Sequence, residues 1–242
     1  MTATITWFGH STFRFVLSDG RVLFVDPWIE GNPACPNKLK KPPRCDMILV
    51  THGHADHIGD VASLVKAHNP VVVGNYDLCH VLQKVIGGGR YETMNTGGSI
   101  TVDGVEITLT KAFHSSAVET PQGLMYAGMP NGVVFQPPGL ASVYHAGDTS
   151  VFLDMKLIHD FMAPKICILP IGDRYTMGAG GAALSAEMLD PRVIIPCHYK
   201  TFPILAQSAD AFRQALSPKL RERLLVPEVG QELRWTETGA AA

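Results

Sequence analysis

Residues 51–60, THGHADHIGD, crowd three histidines and an aspartate into the six positions from His52 to His57. Imidazole nitrogen and carboxylate oxygen at that density are the donors of a transition-metal site. His52 and His54 lie two apart, and alternate residues of an extended segment point the same way, so both reach one ion. Asp56 and His57 are adjacent and point apart, which suits a second ion. The turn alone lacks donors for both. Three further residues follow short β-favouring runs: His114 after 105–110, Asp148 after 141–145 and His198 after 193–196. Together these make seven donors, enough for two four- or five-coordinate ions that share a carboxylate and a water.

The elements that must position these residues can be read from the periodicity. The apolar run 47–50 precedes the turn. Ile58, Val61, Leu64 and Val65 follow it with helical spacing, predicting a helix to about residue 68. The turn therefore sits where a strand ends and a helix begins, the edge at which layered α/β folds collect ligands. Upstream, strands are expected over 4–8, 12–17 and 21–25, the last two joined by the Ser18-Asp19-Gly20 turn. Downstream, strands are expected over 71–74, 90–94, 99–102 and 105–110, with a helix over 77–86. In the second half, strands over 124–127 and 133–136 flank Asn131-Gly132, a hairpin signal. Strands 141–145, 166–170 and 193–196 alternate with helices 151–162, 179–189 and 204–216, and short strands at 224–226 and 232–235 close the chain. Each half runs strands first, then strand and helix in alternation. The layout is α+β, two sheets face to face with helices outside, in one domain over 1–237 and a frayed tail over 238–242.

Composition narrows the class. The chain has 242 residues, 46% of them apolar, enough for a real core. A net charge of −2 gives no pull toward nucleic acid or anionic membrane. No signal peptide and no apolar run of membrane-spanning length is visible. Five scattered cysteines fit a reducing compartment, and a cytoplasmic location is expected. The loop 29–45 carries Lys38, Lys40, Lys41 and Arg44. A solvated loop is the plain reading of that charge, and a cationic rim for an anionic substrate is the sharper one.

The order HGHADH, His114, Asp148, His198 resembles the metallo-β-lactamase superfamily. The flanking WFGHS (7–11), VDPW (25–28), YTMG (175–178) and PCHYKTFP (196–203) resemble its uncharacterised metal-dependent hydrolase branch, related to ascorbate-6-phosphate lactonase. The resemblance spans nearly the whole chain. It implies a four-layer αβ/βα sandwich with a binuclear site between the halves. His52, His54 and His114 would hold one ion, Asp56, His57 and His198 the other, and Asp148 would bridge them. Zn2+ is the default ion for such donors, with Mn2+, Ni2+ and Fe open. The implied reaction is attack by a metal-bridging hydroxide on an ester, lactone or phosphoester of a small metabolite. Asp56 is a candidate for passing the proton to the leaving group. The glycine-rich 177–182 departs from the acidic helix start of that branch, so the helix there is expected to begin later or be looser.

Around the ligands, His10 ends a strand and is expected to face the metals or the substrate. Asp26 is placed to orient the metal turn through hydrogen bonds. Tyr199, next to a ligand, is a candidate donor to a developing oxyanion. His145 reads as a core or orienting residue, while His68, His80 and His159 fall on helices as surface or packing residues. The partner is a small molecule, with homo-oligomerisation open. Two other readings of the same residues are a phosphodiesterase or nuclease of this fold and a non-enzymatic metal-dependent binding or regulatory module. Redox chemistry on a di-iron site is a third.

Overall fold

Strands whose residues are apolar at every position must be covered on both faces. The segments 22–25, 47–50 and 71–73 are of this kind, and they build the centre of the molecule. A computed structural model describes residues 2–242. In chain order the strands of the first half are β1 (Thr4–Trp7), β2 (Phe13–Val16), β3 (Val22–Val25), β4 (Met47–Leu49), β5 (Val71–Asn75), β6 (Arg90–Met94), β7 (Ser99–Val102) and β8 (Val105–Lys111). Those of the second half are β9 (Ala117–Thr120), β10 (Gly123–Tyr126), β11 (Asn131–Gln136), β12 (Val143–His145), β13 (Ile166–Pro170), β14 (Val193–Cys197), β15 (Glu232–Thr236) and β16 (Gly239–Ala241). The helices are α1 (Ala55–Ile58), α2 (Val61–His68), α3 (Tyr76–Ile86), α4 (Met155–Met162), α5 (Ala179–Leu189), α6 (Asp210–Ala215) and α7 (Pro218–Arg221).

One sheet has the order β16-β15-β1-β2-β3-β4-β5-β6 and the other β14-β13-β12-β11-β8-β7. The strand period of two sorts side chains between two cores. Phe24, Ile48 and Val72 lie on one face of the first sheet, packed with Val61, Leu64, Leu78 and Leu82 of α2 and α3. Leu23, Val25, Met47, Leu49, Val71 and Val73 lie on the other, in the core shared with the second sheet. Register keeps these sets together: Phe24 pairs with Ile48, and Ile48 with Val72. The sheets meet through Phe15 and Phe135, whose ring centroids are 4.9 Å apart. Helices α4, α5 and α6 cover the second sheet through Met155, Ile158, Ala182, Ala186, Leu189 and Phe212. The result is the α+β sandwich expected from the sequence, with two mixed sheets between helices.

Several local expectations are corrected. Asn131-Gly132 makes no hairpin and lies inside β11. The buried Asn131 amide donates to Thr96 Oγ1 and the Thr110 carbonyl, and a side chain on Gly132 would meet Thr110 and Tyr144 within 2.8 Å. Asn and Gly are there for packing, while β10 folds back on β9 as a separate ribbon. The helix expected over 151–162 starts at Met155, because Phe152 turns into the core. The helix expected over 204–216 shrinks to α6, because Ala206 N–H is spent on the Gly172 carbonyl and the Ala206 carbonyl on Lys200 N–H. The 224–226 strand reduces to a single bridge between Leu224 and Ile194. The tail expected to fray pairs instead, with Gly239–Ala241 lying antiparallel to β15. Helix α5 begins at Ala179 despite its glycines, with Gly178 as its N-cap and no side-chain cap. Among the described residues no helix is long and apolar enough to cross a membrane.

Candidate metal centre

β1, β3 and β4 run the same way in the first sheet, and β8, β12 and β14 do so in the second. Their carboxyl ends carry, in turn, His10, Asp26, His52, His114, Asp148 and His198. Strand ends therefore deliver six of the converging groups, and the short helix α1 delivers Asp56 and His57.

His52, His54 and His114 form one group. His52 Nε2 lies 2.9 Å from His54 Nδ1, which lies 3.3 Å from His114 Nε2. Nitrogens 2.0–2.1 Å from one tetrahedral zinc stand about 3.3 Å apart. Burial, then the charge at His57, pushes His52 well below the usual imidazole range, and burial also lowers His54 and His114. All three are held neutral, the form that binds a cation. Asp56, His57 and His198 form a second group, joined by His10.

Asp148 stands between the groups. Its Oδ2 is 3.0 Å from His198 Nε2 and 3.6 Å from His114 Nε2, and its Oδ1 is 3.4 Å from His57 Nε2. Burial opposes its charge, but His198 and His57 outweigh burial and hold it well below the carboxylate range. Burial likewise opposes charge on His57, where Asp148 and Asp26 on either side win and raise it.

Asp26 governs the ring orientations. Its Oδ1 accepts from Thr51 N–H at 2.8 Å, and its Oδ2 accepts from Thr51 Oγ1–H and His57 Nδ1–H, both at 2.7 Å. Since Thr51 spends its proton on Asp26, its oxygen is left to accept from His52 Nδ1–H at 3.0 Å. One buried carboxylate thereby holds Nδ1–H of one histidine in each group on the outer side and turns both Nε2 atoms toward the centre. The expected orienting role of Asp26 is met through this chain. Thr51 was not singled out by sequence, where a threonine at a strand end carries no distinguishing signal.

His10 enters the cluster as expected. Its Nε2 is 3.0 Å from Asp56 Oδ2 and its Nδ1 is 3.0 Å from Thr201 Oγ1. Tyr199 does not: its ring stacks on Trp7 at 5.2 Å, because at the end of β14 the residue after His198 projects to the other side. The oxyanion-donor expectation fails on that geometry. His145 is a buried orienting residue, donating from Nε2 to the Ser11 carbonyl and accepting Gly147 N–H at Nδ1, which shapes the turn to Asp148. His68, His80 and His159 lie outside these groups. Arg44 pairs with Asp46, at the opposite end of β4 from the turn, so it forms no part of a cationic rim.

The donor set fits a metal. His57 Nε2, Asp148 Oδ1 and His198 Nδ1 are buried without a hydrogen-bond partner. The first two face each other across 3.4 Å, where a cation satisfies both.

Known proteins agree with this geometry. The family profile described as the β-lactamase superfamily domain matches residues 4–198. A UPF0173 metal-dependent hydrolase of Koribacter versatilis is 44% identical over 201 residues, covering 83% of this chain and 86% of its own. Another from Solibacter usitatus is 41% identical, covering 96% of this chain and 99% of its own. The structure of Igni18, a metallo hydrolase from the archaeon Ignicoccus hospitalis, superposes with a TM-score of 0.84 at 33% identity, covering 96% of this chain and 97% of that one. With its strand-end histidines and aspartates arranged around a centre that fits a metal, this chain belongs to the metallo-β-lactamase superfamily, as a metal-dependent hydrolase.

Proposed function

We propose that the chain holds two divalent cations and hydrolyses an ester, lactone or phosphoester of a small metabolite. The observation that carries this is Asp148, a buried carboxylate within 3.6 Å of histidines from both donor groups. His52, His54 and His114 would hold one ion, Asp56, His57 and His198 the other, and Asp148 would contact both. Zinc suits a set of imidazole nitrogens and carboxylate oxygens best. Such ions, when bound, supply an activated water at neutral pH and polarise the scissile oxygen.

The protein's own groups do the rest. Asp26 and Thr51 hold the outer protons on Nδ1 of His57 and His52 and turn Nε2 of both inward, where a cation would take the place of the second proton on His57. His10 donates to Asp56 and, with the charge at His57, keeps it ionised against its burial. An ionised Asp56 is suited to hold a cation or accept a proton, and it gives a proton to a leaving group only after taking one up. The near-neutral balance of the chain supports a small-molecule substrate over a polyanion.

Elemental analysis of protein loaded with zinc and freed of excess is expected to give two ions per chain. Asp148→Ala is expected to lose or loosen both, and chelation to abolish turnover of an ester, lactone and phosphodiester panel. One ion per chain at saturation, two tightly held ions in Asp148→Ala, or hydrolysis by metal-free protein would each refute the reading.

A further inference from the structure

His10 stands within the second group without belonging to either donor triad. It is fully buried, and its backbone has φ 54°, in the left-handed region. A non-glycine residue there is strained and persists only where its surroundings over-determine it. Here the surroundings are the second donor group. The His10 carbonyl accepts two bonds, from Trp7 Nε1–H at 2.9 Å and from the backbone N–H of His198 at 3.0 Å. His198 is itself left-handed, with φ 56°. The His10 imidazole meanwhile reaches Asp56 through Nε2 and Thr201 through Nδ1. Backbone and side chain of one residue thus tie Asp56, from the first half, to His198, from the second.

The ring is held as firmly as the carbonyl. It lies 3.9 Å from the His198 ring, and Trp28 and Phe202 close over it edge-on at 5.3 and 5.7 Å. Trp28 fits because Gly31 and Gly59 leave it room: a Cβ on either would come within 2.8 Å of the indole. Asp56, by contrast, is about a third exposed, and His10 is its hydrogen-bond partner. Without that bond the carboxylate is free to swing toward water. With an ionised carboxylate as acceptor, Nε2 carries the proton and Nδ1 is left an acceptor that shares the Thr201 hydroxyl with the Tyr199 carbonyl.

We infer that His10 is a positioning residue that holds Asp56 and His198 in register for the second ion while leaving the first ion's triad untouched. This rests on the two-ion reading above. Partners that orient metal ligands are worth 10–100-fold in affinity. A glutamine amide places an N–H near the position of Nε2 and keeps the bond to Asp56. An asparagine amide ends near Nδ1 and does not reach it. The test is a zinc titration of metal-free protein against a competing chelator, for wild type, His10→Ala, His10→Gln and His10→Asn, with urea unfolding of each metal-free variant as the check on folding. The expected result is two ions in wild type, an unchanged first affinity in every variant, and a second affinity about 10–100-fold weaker in His10→Ala and His10→Asn. His10→Gln is expected to recover most of that loss. The Gln and Asn variants carry the test if His10→Ala does not fold. Unchanged second affinities overturn the proposal alone, as does an equal loss at both sites. Glutamine as weak as alanine also overturns it, making His10 a direct ligand. A wild-type chain that takes up one ion overturns the two-ion reading and this proposal with it.

Discussion

Replacing Asp26 by asparagine tests whether one carboxylate sets the tautomers of both donor groups. The carboxylate accepts three bonds, one at Oδ1 and two at Oδ2, and is fully buried. An amide has a single oxygen. With the NH2 placed at Oδ1, it meets the Thr51 backbone N–H, donor against donor. Placed at Oδ2, it faces His57 Nδ1 and drives that ring to the tautomer with its proton on Nε2, where a cation would sit. Either way one bond to a charged acceptor is lost, about 1.5–3 kcal/mol, and a buried donor is left unpaired, about 1–3 kcal/mol. The metal-free variant is therefore expected to be about 2.5–6 kcal/mol less stable in urea unfolding. On the two-ion reading proposed above, its affinity for the second ion, titrated with zinc, is expected to fall about 10–100-fold, which is about 1.4–2.8 kcal/mol. Thr51→Val separates the two branches. It removes the acceptor of His52 Nδ1–H while leaving the bond between Asp26 and His57, so it should weaken the first ion and spare the second. Chelator-competition titration reads both. An Asp26→Asn chain that binds both ions as wild type does would refute the tautomer reasoning.

Three further outcomes are expected. Tyr199→Phe should leave metal content and hydrolysis within about twofold, since the ring only stacks on Trp7, and a tenfold loss of turnover would return Tyr199 to the reaction. Gly172→Ala should destabilise the chain by about 2 kcal/mol or more and, on the two-ion reading, weaken the second ion, because its Cβ would press on the His198 carbonyl; an unchanged melting midpoint would count against that contact. Burial lowers the pKa of His145 below the usual imidazole value, so the unfolded chain takes up a proton that the folded chain refuses. In chelator, wild type should therefore lose stability as pH falls below about 6.5, and His145→Gln should show a slope shallower by up to about 1.4 kcal/mol per pH unit. Equal slopes in urea melts between about pH 5 and 7 would show that His145 titrates freely.

The convergence of the candidate donors was legible because their chemistry is rare and their placement regular. Three histidines and an aspartate in six positions have few other uses, and His114, Asp148 and His198 each follow a short β-favouring run. The sheets were legible for the same reason, since 22–25, 47–50 and 71–73 are apolar throughout and had to be covered on both faces. Misreadings arose where a local signal was overridden by a distant neighbour. Asn131-Gly132 is a turn signal in isolation, but Thr96, Thr110 and Tyr144 make it the inside of a strand. Residues 204–209 have helical composition, but Gly172 and Lys200 take the hydrogen bonds a helix would need.

The groups that make the donors usable were the least legible. Thr51 and Thr201 are ordinary hydroxyls whose partners are defined only when 26 meets 51 and 10 meets 201. Asp148 must sit beside His57 from the first half and His198 from its own, and His198 must bond the backbone of His10. Neither half contains a complete site, so the joining of the two sheets and the formation of the centre are one event. His57 Nε2 and Asp148 Oδ1 face each other only once the halves have met, so a cation held between them would bind only the folded form. Metal binding is accordingly folding free energy here, and it acts most strongly across the seam where the two halves depend on each other.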